Sequence, residues 1–223
     1  LFPDHDSANA VLDGPAGDAL MQDLEQQDLK GLAWGVNGFR QVTNSRGPIT
    51  EPADFEGLRI RVPGIELYLS IYEELGASPT TMNFAEVFTA LQTGAVDGQE
   101  NPLSLIWSSR FHDVQDHVTI WNYSYDALAF VGSGPFWQGL SEEDQEMFSR
   151  AAQEAMDFQR EVVKQEDIDL VGELEEAGMT VTTLTDEQLS AFQDVLSPVY
   201  ERYKESLGSD FVSIFEDGVA ELQ

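Results

Sequence analysis

The chain has 223 residues, 42% of them hydrophobic, with 41 acidic side chains against 11 basic ones and a formal charge of -30. That length can bury a real core as one large domain or two small ones, and no apolar run is long enough to cross a membrane as a helix. The charge excludes nucleic acid and anionic membrane surfaces as partners, since both need a basic face. The absence of cysteine excludes disulfides, thiolate nucleophiles and thiolate metal sites.

Residues 1–7 read as irregular. Ala10–Leu12 and Leu20–Leu24 bracket Gly14-Pro15-Ala16-Gly17 as two helical turns and a longer amphipathic helix ending near Gln27, followed by a buried strand over Leu29–Trp34. Gly35–Gly38 leads into another strand over Phe39–Thr43, broken by Gly47-Pro48. In Gly57-Leu58-Arg59-Ile60-Arg61-Val62-Pro63-Gly64 the apolar Leu58, Ile60 and Val62 alternate with Arg59 and Arg61, so a strand puts both guanidiniums on one face. Arg40, Arg46, Arg59 and Arg61 together concentrate positive charge where the rest of the sequence avoids it.

Beyond Pro63-Gly64 the residues Ile65, Tyr68, Leu69 and Tyr72 have helical spacing, with Gly76 as a left-handed cap. Ala77–Met82 is short and extended. Asn83 with Glu86 three places on marks a helix through Leu91 that ends at Gly94, and Ala95–Asp97 is the next short strand. This alternation is that of a parallel α/β sheet, whose ligand groups sit at the carboxyl ends of strands. Asn101-Pro102 opens a helix running to about Arg110, with asparagine as its cap. His117–Tyr123 and Leu128–Val131 are strand candidates. From Ser141, capped with Asp144, helical spacing continues to about Ala177, which predicts a helix on the order of 50 Å long that either bridges two lobes or breaks near Gly172. Thr185 and Gln188 form a capping box for a further helix kinked at Pro198, and Gly208 precedes a last amphipathic piece.

His112, Asp113, Asp116 and His117 crowd together, but histidines at that spacing do not share a helical face, and they read as a structural or solvated cluster rather than a metal site. Gly132-Ser133-Gly134 lacks the strand-to-helix elbow of a nucleophile, and the acidic first turn from Glu142 to Glu146 is a solvated face. No cofactor is expected. The arginine cluster remains: a planar guanidinium makes two parallel hydrogen bonds to a carboxylate. For Arg40 and Arg61 an internal ion pair with one of the many acids is an equal reading. Capping accounts for Asn101, and a core position accounts for Phe84.

Read together, Gly38-Phe39-Arg40-Gln41, the Gly57–Pro63 strand, Leu75–Pro79, Phe84–Val87 and above all Leu91–Pro102, continued by Phe111–Gln115 and Trp137–Gln145, resemble the solute-binding proteins of TRAP (tripartite ATP-independent periplasmic) transporters of the C4-dicarboxylate-binding type. The resemblance implies an α/β, two-lobed periplasmic binding protein (Venus-flytrap) fold with a long lobe-spanning helix. Residues 1–37 and 127–166 would form the remainder of lobe 1, and 38–126 with 167–223 lobe 2. It implies that Arg61 forms the ion pair with a ligand carboxylate, Asn101 hydrogen-bonds it, Arg40 adds a second contact, Phe84 supplies an apolar wall, and Tyr123 and Tyr125 lie near the pocket. Arg59 is left as a flanking or specificity-tuning residue. A small organic acid and the membrane permease subunits would be the partners of a monomeric, periplasmic subunit that carries out no chemistry. A sensory receptor and a two-lobed enzyme acting on a carboxylated substrate are the alternatives, the enzyme lacking any nominated acid or base. The family begins with a signal peptide and a further part of the first lobe, which this chain is expected to lack.

Only three of the basic residues are lysines. An acidic, lysine-poor surface suits molar salt, where a short screening length removes self-repulsion. The expected outcome is a melting temperature that rises between low and molar salt; a flat profile would mark an ordinary acidic protein.

Overall fold

A computed structural model describes residues 2–222, and its contacts divide the chain into two compact units. The first comprises Leu1–Gly38, Tyr125–Gln165 and Gly208–Gln223, the second Phe39–Ser124 and Glu166–Leu207. Two elements contribute to both: strand β1 (Leu29–Asn44) and helix α7 (Glu142–Glu176), a single helix of 35 residues that passes Gly172 without a break.

In the first unit, helices α1 (His5–Leu12) and α2 (Pro15–Glu25) precede β1. The helix begins at His5, not after an irregular stretch to residue 7, because Asp4 caps it by accepting from the Ser7 amide at 2.7 Å. Strand β6 (Tyr125–Ser133) pairs with β1 and leads into α6 (Gly134–Gln138). The terminal helix α9 (Ser209–Ala220) packs against α1 and α2, where Val219 joins Val11 and Ala16 in a small apolar cluster. Its amphipathic stripe follows that neighbour rather than the preceding helix.

The second unit is built on a sheet ordered β3-β2-β4-β1-β5-β7, formed by β2 (Arg59–Val62), β3 (Ser78–Thr81), β4 (Gly98–Pro102), β5 (His117–Ile120) and β7 (Thr180–Thr183) around the second half of β1. β2 runs parallel to β3 and β4, and β5 parallel to β7, but β1 is antiparallel to both β4 and β5. The sheet is therefore mixed rather than parallel throughout. Ile60 and Val62 join a cluster with Tyr72 of α3 (Glu66–Glu74) and Phe192 and Val199 of α8 (Asp186–Leu207). Val118 belongs to a second cluster with Val87 and Leu91 of α4 (Phe84–Gln92), Ile106 of α5 (Leu103–Ser108) and Leu170 and Leu174 of α7.

Several local signals are realised as hydrogen bonds. Ser141 and Asp144 cap the start of α7, and Thr185 and Gln188 exchange bonds at the start of α8. Gly76 ends α3 with φ +78°. Asn83 precedes α4 without a side-chain cap bond.

Phe55 anchors the first of the two clusters in this unit. It is fully buried, and its ring lies 5.5 Å from Tyr72, 5.5 Å from Trp121 and 6.0 Å from Phe192. Phe55→Ala is expected to destabilise the unit by about 3–5 kcal/mol, the range for deleting a buried aromatic ring, read as a shift in the urea midpoint at unchanged slope.

Candidate functional site

The second unit buries a strand with no large apolar side chain. β4, Gly98-Gln99-Glu100-Asn101-Pro102, is buried at every position. Gly98 permits its entry, since a Cβ there would lie 2.2 Å from the Thr43 carbonyl oxygen of β1. Asp97 precedes it, and its carboxylate takes Arg59 Nη2 at 2.6 Å and Nε at 3.1 Å, with Arg46 at 3.3 Å. The hydrogen bond from Arg59 is the main reason that its pKa is drawn down to about 2. Of the two arginines on β2, Arg59 is thus half-exposed and compensated.

Glu100 is fully buried. Its carboxylate accepts from Nε and Nη2 of Arg40 and from the hydroxyl of Tyr123. Burial pushes the Glu100 carboxyl up, against the pull of Arg40, Tyr123 and Arg61. Burial also opposes the charge on Arg40, but the bonds to Glu100 outweigh it and hold that guanidinium above its ordinary pKa. For Arg40 the internal ion pair is what the structure contains. The same guanidinium donates to the Glu100 carbonyl and to Oδ1 of Asn101, both at 3.1 Å.

Arg61 is different. It is only 4% exposed, yet among the described residues it forms no ion pair, and its Nε and Nη2 both donate to the Met82 carbonyl, at 3.2 and 2.9 Å. Burial lowers its pKa, Glu100 raises it and the like charge of Arg40 lowers it further. Its guanidinium carbon lies 5.9 Å from the ring centre of Phe84, which is 42% exposed and packs edge-on against Phe111. Phe84 is therefore not a core residue. Arg61 is thus a buried cation whose hydrogen bonds go to one carbonyl, beside a half-exposed ring.

Asn101 is not a helix cap. It lies on β4, and Pro102 occupies the cap of α5. The pattern that reads as Asn-Pro capping fails because the strand is displaced along the chain: Ala95–Asp97 lies before β4, whose polar residues carry no period. Asn101 is 3% exposed and donates through Nδ2 to Gln99 Oε1. Tyr123 is engaged by Glu100 and stacks on Trp121 at 4.5 Å. Tyr125 belongs to the first unit, where its hydroxyl donates to Asn9 at 2.8 Å and its ring packs edge-on against those of Phe2 and His5. The sequence did not single out Gln99 and Glu100, since buried polar strand residues look like loop, nor Thr43, which reads as an ordinary strand residue.

A family model described as bacterial extracellular solute-binding protein, family 7, matches residues 1–206. The chain is 39% identical over 196 residues to the 2,3-diketo-L-gulonate-binding periplasmic protein YiaO of Escherichia coli K12, a match covering 88% of this chain and 59% of that one. It superposes with a TM-score of 0.94 and 34% identity on a TRAP periplasmic solute-binding protein from Ralstonia eutropha H16 with bound (S)-2-acetolactate, covering 98% and 71% of the two chains. A sugar acid binding protein from Advenella mimigardefordensis in complex with galactonate gives a TM-score of 0.93 at 35% identity, covering all of this chain and 72% of that one. The chain spans about three-fifths of the length of the curated relatives it matches.

The pairing of Asp97 has a measurable sign. Its carboxyl is held below its unfolded value of about 3.9, so the stability it contributes is present above that pH and is lost as pH falls towards about 2. The stability gap between the wild type and Asp97→Asn is expected to narrow over that window; a gap independent of pH there would refute the pairing.

Proposed function

This chain belongs to family 7 of the bacterial extracellular solute-binding proteins, and on that premise we propose that it captures a small organic acid outside the cytoplasm by an ion pair between Arg61 and the ligand carboxylate. The observation that carries the reading is the buried guanidinium of Arg61, which forms no ion pair among the described residues of a chain with 41 acidic side chains. With so many acids available, a buried arginine without one is kept for a ligand. A carboxylate bound there would meet the unpaired edge of the guanidinium, one hydrogen of the Asn101 amide and the exposed face of Phe84.

Arg40 enters this proposal through Glu100 and Asn101, holding the amide in place. Tyr123 supports Glu100. The ligand is a carboxylated compound of the sugar-acid or keto-acid kind bound by the relatives, captured without chemical change. Delivery to TRAP permease subunits, a periplasmic site of action and a monomeric state complete the proposal.

Arg61→Met keeps the stem volume and removes the charge. Calorimetry with D-galactonate, (S)-2-acetolactate and succinate on the full-length protein is expected to show affinity for the bound acid falling by roughly two orders of magnitude or more. The ligand-free variant is expected to melt no lower than the wild type, because an apolar group in place of an unpaired buried charge is neutral or stabilising. Unchanged affinity would overturn the assignment of Arg61.

A further inference from the structure

A chain of side-chain hydrogen bonds links Arg40 to the backbone on the far side of β4. Arg40 Nη2 donates to Asn101 Oδ1 at 3.1 Å, Asn101 Nδ2 to Gln99 Oε1 at 2.5 Å, and Gln99 Nε2 to Thr43 Oγ1 at 3.0 Å. Thr43 Oγ1 then donates to Gln115 Oε1 at 2.9 Å, and Gln115 Nε2 donates to the carbonyls of Val114 at 3.0 Å and Asp97 at 3.3 Å. All five residues are 5% exposed or less.

The direction of this chain is forced from both ends. A guanidinium only donates and a backbone carbonyl only accepts. The carbonyls fix the Gln115 amide with its oxygen towards Thr43, and the single hydroxyl hydrogen of Thr43 is thereby committed to Gln115. Its lone pair must take the nitrogen of Gln99, whose oxygen turns to Asn101. From the other end, Arg40 requires the oxygen of Asn101. Both constraints give the same orientation, and no amide in the chain can flip without setting donor against donor. The register puts Gln99 opposite Thr43 on β1 and opposite Arg61 on β2, so the row of residues that carries the relay also carries the unpaired guanidinium.

Among the described residues Asn101 is left with one amide hydrogen that makes no hydrogen bond, and with its oxygen turned to Arg40. We infer that Thr43, Gln99 and Gln115 are positioning residues that lock Asn101 as a donor. With Arg61, the second unit then offers the ligand N–H groups, and the site selects an ionised carboxylate, which accepts only, over the corresponding amide. This rests on the carboxylate reading above. Thr43 is remote from the ligand group and acts through two intervening side chains.

The test compares Thr43→Val, which lacks the hydroxyl at equal shape, with Thr43→Ser, which keeps it. Calorimetry uses D-galactonate, (S)-2-acetolactate and succinate, together with the amide of whichever acid binds the wild type most tightly. Thr43→Val is expected to weaken binding of that acid about tenfold and to narrow its preference over the amide, while Thr43→Ser stays within about twofold of wild type, as loss of one buried hydrogen-bond link implies. A general loss of packing would lower the melting temperature without changing the acid-to-amide ratio. Should Thr43→Val not fold, Gln115→Met breaks the relay at its far end and carries the same expectation. Binding and discrimination at wild-type levels in a folded valine or methionine variant would overturn the inference and leave the carboxylate reading standing. Failure of every acid to bind the wild type would overturn both.

Discussion

The second unit depends on keeping a polar strand dry. β4 sits between β1 and β2 with Gln99, Glu100 and Asn101 almost wholly buried, so each polar atom has to find a partner inside the protein or leave a large desolvation penalty unmet. Glu100 meets this with Arg40 and Tyr123, while Gln99 and Asn101 meet it with each other, Thr43 and Arg40. The apolar clusters of α3 with α8 and of α4, α5 and α7 then enclose the sheet. Such an arrangement gives little net stability compared with an apolar strand of equal volume. What it gives is geometry, because a network whose donors and acceptors are fixed from both ends has one arrangement of lowest energy.

The two arginines buried against this strand divide the electrostatic work. Arg40 is quenched by Glu100 and becomes part of the scaffold. Arg61, without a carboxylate, keeps a positive potential at a place where low dielectric makes it count. Among the described residues the surrounding excess of negative charge does not reach it as an ion pair: Asp97, just before β4, is taken by Arg59 and Arg46. Pairing Arg59 outside and leaving Arg61 unpaired inside separates two residues that β-alternation alone places together.

Much of this was legible in the sequence where the signal is local. The capping pairs at Ser141 and Thr185, the left-handed Gly76 and the unbroken helical spacing to residue 177 all reappear in the structure, because each depends on neighbours a turn or less away. The antiparallel placement of β1 was not legible, since pairing direction depends on contacts distant in sequence. β4 defeated hydropathy for a physical reason: its burial is supported by hydrogen bonds rather than by apolar side chains, so neither period nor propensity marks it. Asn101 illustrates the consequence. Its capping reading follows sound local rules, and only the cross-strand partners Arg40 and Gln99 displace it. Between the two equal readings of the buried arginines, composition gave no choice, and the position of one carboxylate, Glu100, decided for Arg40.

A buried guanidinium without an ion pair raises the energy of the ligand-free protein, and this bears on how the proposed capture of a carboxylate would work. The donors at Arg61 and Asn101 are already desolvated and oriented before a carboxylate arrives, so the ligand meets groups whose reorganisation has been completed during folding. The ion pair then removes a penalty that exists in the empty site as well as adding its own attraction. On that proposal an acid would draw affinity from the folding free energy of β4 and its neighbours, and the selectivity of the site would be set by which atoms that network leaves unsatisfied.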